Sequence, residues 1–326
     1  MLRVISVTMI LLVHFGQSVP MPDFLHIPIV WCRHGVQMFY LLSGFLIYAS
    51  LSKKTDGIWY FYKKRIVRII PIYFTVIVIN IILFDCILDV VPDDSMRLGW
   101  LRYFLFLQTM VPSESVEYWN NISALWTMSA FALFYLVAPF LQKISKRGVL
   151  MCLVCIVLLY VAGRAASAFY NNMHLSDEFA NSLHYINNKN AVSQLWIFAV
   201  GGGIFVLKDS LWAKYIYFMA FAIMGLVYHN DDIVMVCCFA VIISAIGQVN
   251  FKPSDKWCKI WNTLDEYSFS IYLGHTTIIE LMGIIRDIYH LNMFIVGVGS
   301  IGGSILLVWS LHNLIERPVA IYFKGR

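Results

Sequence analysis

The sequence predicts an all-α fold that crosses a membrane many times, and three observations carry that expectation. First, 60% of the 326 residues are hydrophobic and only 13% are charged, whereas about a quarter of an average soluble domain is charged. Second, mean hydropathy is +0.72. Third, the apolar residues fall in successive runs of about 20, the length a helix needs to cross about 30 Å of hydrocarbon. Inside lipid each backbone N–H and C=O has to be satisfied within its own segment, so these runs read as helices.

Ten runs are identified, at approximately 2–19, 34–52, 69–90, 122–141, 148–168, 191–207, 212–228, 232–249, 267–285 and 292–314. Ten crossings put both termini on one side, and the basic residues choose the side. With the N-terminus in the cytoplasm, all but six of the 24 Lys and Arg residues lie inside, the exceptions being Arg33, Arg97, Arg102, Arg164, Lys189 and Arg286. That bias follows the positive-inside rule, so both termini are placed in the cytoplasm. Residues 1–326 read as one transmembrane domain without an appended soluble domain. The first run reads as a retained span, because no small-x-small cleavage site follows it.

The first run, RVISVTMILLVH, is bracketed by Arg3 and His14. At about 100° and 1.5 Å per residue, eleven steps return to nearly the same face roughly 16 Å further on. An ionisable group at that depth is costly, and by default it marks a functional site or has a partner. His14 suits general-base chemistry near neutral pH; a histidine bonded between helices for packing is the alternative. Arg3 reads as an anion holder or as a snorkelling topology residue.

The second run, HGVQMFYLLSGFLIY, has small residues at Gly35, Ser43 and Gly44 that permit close helix approach. Ser43 is a candidate nucleophile or a packing serine. The cytoplasmic segment FYKKRIVRIIPIY then carries Lys64, Arg65 and Arg68, with Pro71 and Tyr73 beyond them. Planar guanidinium groups suit bidentate phosphate recognition, and a lipid-headgroup cluster is the competing reading. Cys152 and Cys155 sit mid-span without a second pair, which favours apolar packing over metal. His275 lies inside the ninth run, next to Tyr272, and Glu316 follows the last run beside Arg317, most simply as a helix-end ion pair.

Three outer segments remain: 20–33, an acidic and aromatic 91–121, and an Asn- and Tyr-rich 169–190. They suit sugar binding, but also the interfacial aromatic belt. The net charge of +5 reflects topology, and no nucleic-acid motif accompanies it. Seven cysteines, mostly within apolar runs, give no disulfide framework. Oligomeric state is not encoded in any of these features.

Taken together, the chain resembles the acyltransferase-3 family of integral membrane O-acyltransferases over nearly its whole length. The family's Arg-x10-His pair falls on Arg3 and His14. Its Gly-Val-x-x-Phe-Phe-x-x-Ser-Gly-Phe pattern is similar to the segment from Gly35 to Phe45. Arg65, Arg68, Pro71 and Tyr73 match Arg-x-x-Arg with the following Pro-x-Tyr. Tyr272, Leu273 and His275 match Tyr-Leu-x-His, and Glu316, Arg317 and Pro318 match the terminal Glu-Arg-Pro. One departure stands out: Phe131 and Ala132 occupy positions where the family often has two carboxylates, although Trp126, Phe134 and Tyr135 match that segment.

The resemblance implies transfer of an acyl group, acetyl in the usual case, from cytoplasmic acyl-CoA to a hydroxyl of an envelope or exported glycan or a lipid-linked sugar. It implies a multi-pass protein of a bacterial cytoplasmic membrane, with acetyl-CoA as donor substrate and no tightly bound cofactor or metal. His14 would be the base, and Arg65, Arg68, Lys64 and Tyr73, helped by Arg3, would hold the donor. Ser43, Tyr272, His275 and Glu316 would support them. A transporter or flippase of a lipid-linked sugar is the alternative that shares this composition.

Overall fold

The computed structural model describes residues 1–19, 22–53, 57–88, 97–112, 124–173, 180–228, 231–246 and 254–324, and all regular structure among them is helical. The helices are α1 Leu2–Ser18, α2 Asp23–Trp31, α3 Gly35–Leu51, α4 Ile58–Asn80, α5 Arg97–Phe104, α6 Thr127–Ser145 and α7 Val149–Asn171. They continue as α8 Ala180–Lys189, α9 Ala191–Val206, α10 Leu211–Tyr228, α11 Asp231–Ile246, α12 Asp255–Tyr289, α13 Met293–Leu311 and α14 Arg317–Lys324. Two π-helical turns, Ile81–Ile87 and His312–Glu316, continue α4 and α13.

A helix occupies each of the ten predicted runs. By length and apolarity, five stretches among the described residues are able to cross a membrane: Ile58–Ile87, Ala124–Ser145, Val149–Asn171, Asp255–Tyr289 and Met293–Phe323. The helices at the other five runs are 16 to 18 residues long, somewhat under the roughly 20 of a full span. Two boundaries move in a way that matters. Helix α4 begins at Ile58, so Arg65 and Arg68 sit on the same continuous helix as Pro71. Helix α12 begins at Asp255, which draws Asp265 into it. The stretch 20–33, expected from the sequence to be an outer loop, contains helix α2, whose Phe24, Ile27 and Trp31 are exposed. The acidic residues Asp93, Asp94, Glu114 and Glu117 lie outside the described residues.

Lipid tails are as apolar as leucine, so helix association inside a membrane depends on close packing and interhelical hydrogen bonds. Both are present. A Cβ on Gly44 would lie 1.9 Å from the Phe198 carbonyl oxygen, and one on Gly201 1.9 Å from that of Leu41. The backbones of α3 and α9 therefore touch through two reciprocal glycines. Gln142 of α6 donates to the Tyr48 carbonyl and to Ser52 Oγ, both at 2.8 Å. Asn80 of α4 donates to Thr277 Oγ1 of α12 at 2.9 Å. Helix α1 packs against both α3 and α12, which fixes the faces carrying Arg3 and His14. Cys152 and Cys155 are buried in α7 as free thiols, in keeping with a packing role.

Candidate active site

The arginines predicted from sequence converge. A narrow cleft of about 60 Å³ is lined by Arg3, Arg65 and Arg68, with Ser43 on one wall. Phe39, Phe131 and Tyr135 supply aromatic walls. Arg3 donates from Nη1 to Asp265 Oδ2 at 2.9 Å. The Arg65 guanidinium lies over the rings of Phe61 and Tyr135, at 5.4 and 5.7 Å from their centres, and its buried Nε has no hydrogen-bond partner. Among the described residues neither Arg65 nor Arg68 pairs with a carboxylate. Three guanidinium groups thus line the cleft, and among the described residues only Arg3 has a carboxylate partner, so the cleft carries a net positive charge suited to an anion.

The histidines converge as well, at the other end of α1. His14 and His275 stand with ring centroids 5.2 Å apart and planes at 55°. His275 is fully buried. Its Nδ1 lies 3.0 Å from the Ile271 carbonyl and 2.9 Å from that of Tyr272. The Tyr272 hydroxyl donates to the Ala124 carbonyl at 2.9 Å and shares a short hydrogen bond with Thr127. Phe39 lines the arginine cleft and also stacks on Tyr272 with centroids 5.2 Å apart. Phe39 and Tyr272 thus connect the wall of the cleft to His275, whose ring stands 6.3 Å from that of Tyr272.

Three predicted residues fall elsewhere. Lys64 is exposed and does not line the cleft. Tyr73 does not reach it either: its hydroxyl donates to the Tyr103 carbonyl at 2.8 Å, accepts from Gln108 at 3.3 Å, and its ring stacks on Phe106. Tyr73 pins the segment after α5 onto α4. Glu316 accepts from Ser270 Oγ at 2.7 Å and faces His312 Nδ1 at 3.0 Å, in place of the Arg317 pairing suggested by adjacency. The π-turn at 312–316 sets residues four apart on the same side, as such turns often do near functional sites.

Asp265 and Thr127 carry no local signal in the sequence, and Lys189 stands out there only as an exception to the charge bias. Asp265 read as a loop residue just ahead of the predicted ninth run. Lys189, at the end of α8, lies 4.6 Å from the Tyr185 ring centre and 5.4 Å from that of Trp126. It is close enough to His14 to act on it electrostatically. Phe131, where the related pattern carries a carboxylate, is a buried ring against Phe39, Tyr40 and Phe198.

An acyltransferase domain model matches residues 1–312, which takes in the cleft, both histidines and all but the last turns of the chain. The chain belongs to the acyltransferase-3 family. A protein of the Acidianus two-tailed virus named "Putative acetyltransferase ORF330" is 24% identical over 271 residues, covering 77% of this chain and 74% of its own length. No solved structure matches. As an acyltransferase-3 protein with five helices among the described residues long and apolar enough to span, the chain is an integral membrane acyltransferase.

Proposed function

We propose that this acyltransferase moves an acetyl group from cytoplasmic acetyl-CoA to a hydroxyl of an envelope or exported glycan, with His14 as general base. The observation that carries the reading is the placement of an anion-receptive cleft and a histidine at opposite ends of one face of α1. In this reading Arg65 and Arg68, with Arg3 beside them, hold the phosphates of coenzyme A at the cytoplasmic mouth. The pantetheine arm then runs past Phe39 and Tyr272 toward His14. The acceptor oxygen loses its proton to His14 as it attacks the thioester carbonyl, and positioned proton transfer of this kind contributes about 10²–10⁴-fold.

Membranes containing the protein, labelled acetyl-CoA and envelope glycan supply the test. Label is expected in the glycan, and His14→Ala, folded to the same extent, is expected to abolish it. A His14→Ala protein that transfers label as fast as the parent removes the base assignment. Glycan movement across the membrane without acetylation favours the transporter reading.

A further inference from the structure

The two carbonyls against His275 decide where its proton is. Carbonyl oxygens only accept, so Nδ1, facing Ile271 O and Tyr272 O at 3.0 and 2.9 Å, carries the hydrogen. A neutral imidazole has one N–H, which leaves Nε2 as a bare acceptor. That Nε2 is buried and has no hydrogen-bond partner, in a side chain with no exposed surface. Buried polar atoms without partners are uncommon, and each calls for an explanation. Beside it stands the ring of His14, 5.2 Å away between centroids. Among the described residues no carboxylate pairs with either histidine.

We infer that His275 is the positioning residue for His14: its Nε2, unbonded in this structure, accepts an N–H from His14 once the two rings, now 5.2 Å apart between centroids, close on one another with substrate bound, and so fixes which His14 nitrogen presents a lone pair to the acceptor hydroxyl. The inference rests on His14 being the base. Gln17 also interacts with His14, but an amide offers both a donor and an acceptor and selects no tautomer. A neutral His275 offers only an acceptor, so it does select one. The role is the one a carboxylate plays in a Ser-His-Asp triad, filled here by a neutral group. That substitution suits a membrane interior, where an ionised carboxylate is costly.

The step balances without a further reactant. The acceptor O–H gives its proton to the free nitrogen of His14 while its oxygen bonds to the thioester carbonyl carbon. The resulting imidazolium shares its other N–H with His275 Nε2. Collapse of the tetrahedral intermediate breaks the C–S bond, and the departing thiolate of coenzyme A takes the proton from His14. Products are the ester and the free thiol, and both histidines return to their starting tautomers.

The test uses the full chain in nanodiscs. In the parent, solid-state ¹⁵N spectra of histidine-labelled protein, assigned by difference against His275→Gln, are expected to show His275 protonated at Nδ1 and bare at Nε2. His275→Ala is expected to lower kcat by about 10²–10⁴-fold with the KM for acetyl-CoA unchanged. His275→Gln, whose amide nitrogen can donate to the carbonyls and whose oxygen can accept from His14, is expected to recover at least about tenfold of that loss. A protonated Nε2 in the parent overturns the inference, even where His275→Ala does not fold. So does a folded His275→Ala with kcat within about threefold of the parent when His14→Ala is inactive. Activity retained in His14→Ala overturns the base reading instead.

Discussion

Arg3 bonds Asp265 at 2.9 Å, and eleven and ten residues further along the same two helices His14 meets His275 at 5.2 Å. Both helices advance about 15–16 Å over those intervals, so α1 and α12 run parallel, joined by an ionic rung at one end and an aromatic one at the other. The cleft proposed for the donor opens at the ionic rung and the proposed base stands at the aromatic rung. Whatever shifts one helix against the other changes both ends of the site together.

The ionic rung separates two roles for Arg3. The two side chains are 21% and 38% exposed, and pairs open to solvent contribute about 0.2–1 kcal/mol, too little for the pair to be mainly a source of stability. Exchanging the charges, Arg3→Asp with Asp265→Arg, keeps an ion pair but moves the cation to the α12 side of the cleft. The double variant is expected to match the parent in thermal stability and to bind acetyl-CoA more weakly. Full recovery of donor affinity in the exchanged protein, measured by KM, shows instead that Arg3 serves helix register alone.

Arg65 and Arg68 carry a prediction of different size. Hydrogen bonds to charged groups contribute about 1.5–3 kcal/mol, so each Arg→Ala change is expected to raise the KM for acetyl-CoA by about ten- to hundredfold, with kcat altered far less. Arg65→Lys is expected to behave more like alanine than like arginine. Lysine lacks the planar fork that stacks between Phe61 and Tyr135 and grips two phosphate oxygens. Equal donor KM in the Arg65→Ala, Arg68→Ala double variant removes the phosphate role.

The crossing of α3 and α9 is expected to tolerate no side chain at its glycines. Gly44→Ala and Gly201→Ala each drive a Cβ into a backbone carbonyl at 1.9 Å, and backbone cannot swing aside as a side chain does. Overpacking of a tight core costs about 1–3 kcal/mol or more. Both variants are expected to lose folded yield and monodispersity on size exclusion. Gly57→Ala, with nothing within 4 Å of the added atom, is the matching control.

The sequence revealed some of this and concealed the rest for identifiable reasons. Arg3 and His14 were legible because helical periodicity puts both on one face whatever surrounds them. Arg65 and Arg68 were legible as a charge cluster at a membrane boundary. Tyr73 misled: it follows the arginines closely in sequence, but five residues after Arg68 the helix has turned by about 140°, and the tyrosine faces Tyr103 and Gln108. Glu316 misled by adjacency too, since consecutive residues on a helix do not face one another. Asp265 was hidden because its partner lies 262 positions away, and no local pattern reports a pairing that distant.

Lys189 supplies the remaining prediction. It lies outside the ten predicted spans, and burial holds its ammonium group below the ordinary lysine value. Among the described residues it has no carboxylate partner; the rings of Tyr185 and Trp126 stand in for one. Two cation–π contacts return about 0.5–2 kcal/mol each, a partial offset for a half-buried ammonium group without a carboxylate partner. The penalty falls on the protonated form, so it is largest at low pH. It is relieved as pH rises through the lowered folded value. Lys189→Met is therefore expected to raise Tm by about 2 °C or more at pH 7, with the advantage over the parent shrinking toward pH 10. A residue kept at such a cost beside His14 is expected to serve turnover, so the same variant should raise the KM for the glycan acceptor and leave that for acetyl-CoA unchanged. A lower Tm with unchanged acceptor kinetics assigns Lys189 to packing.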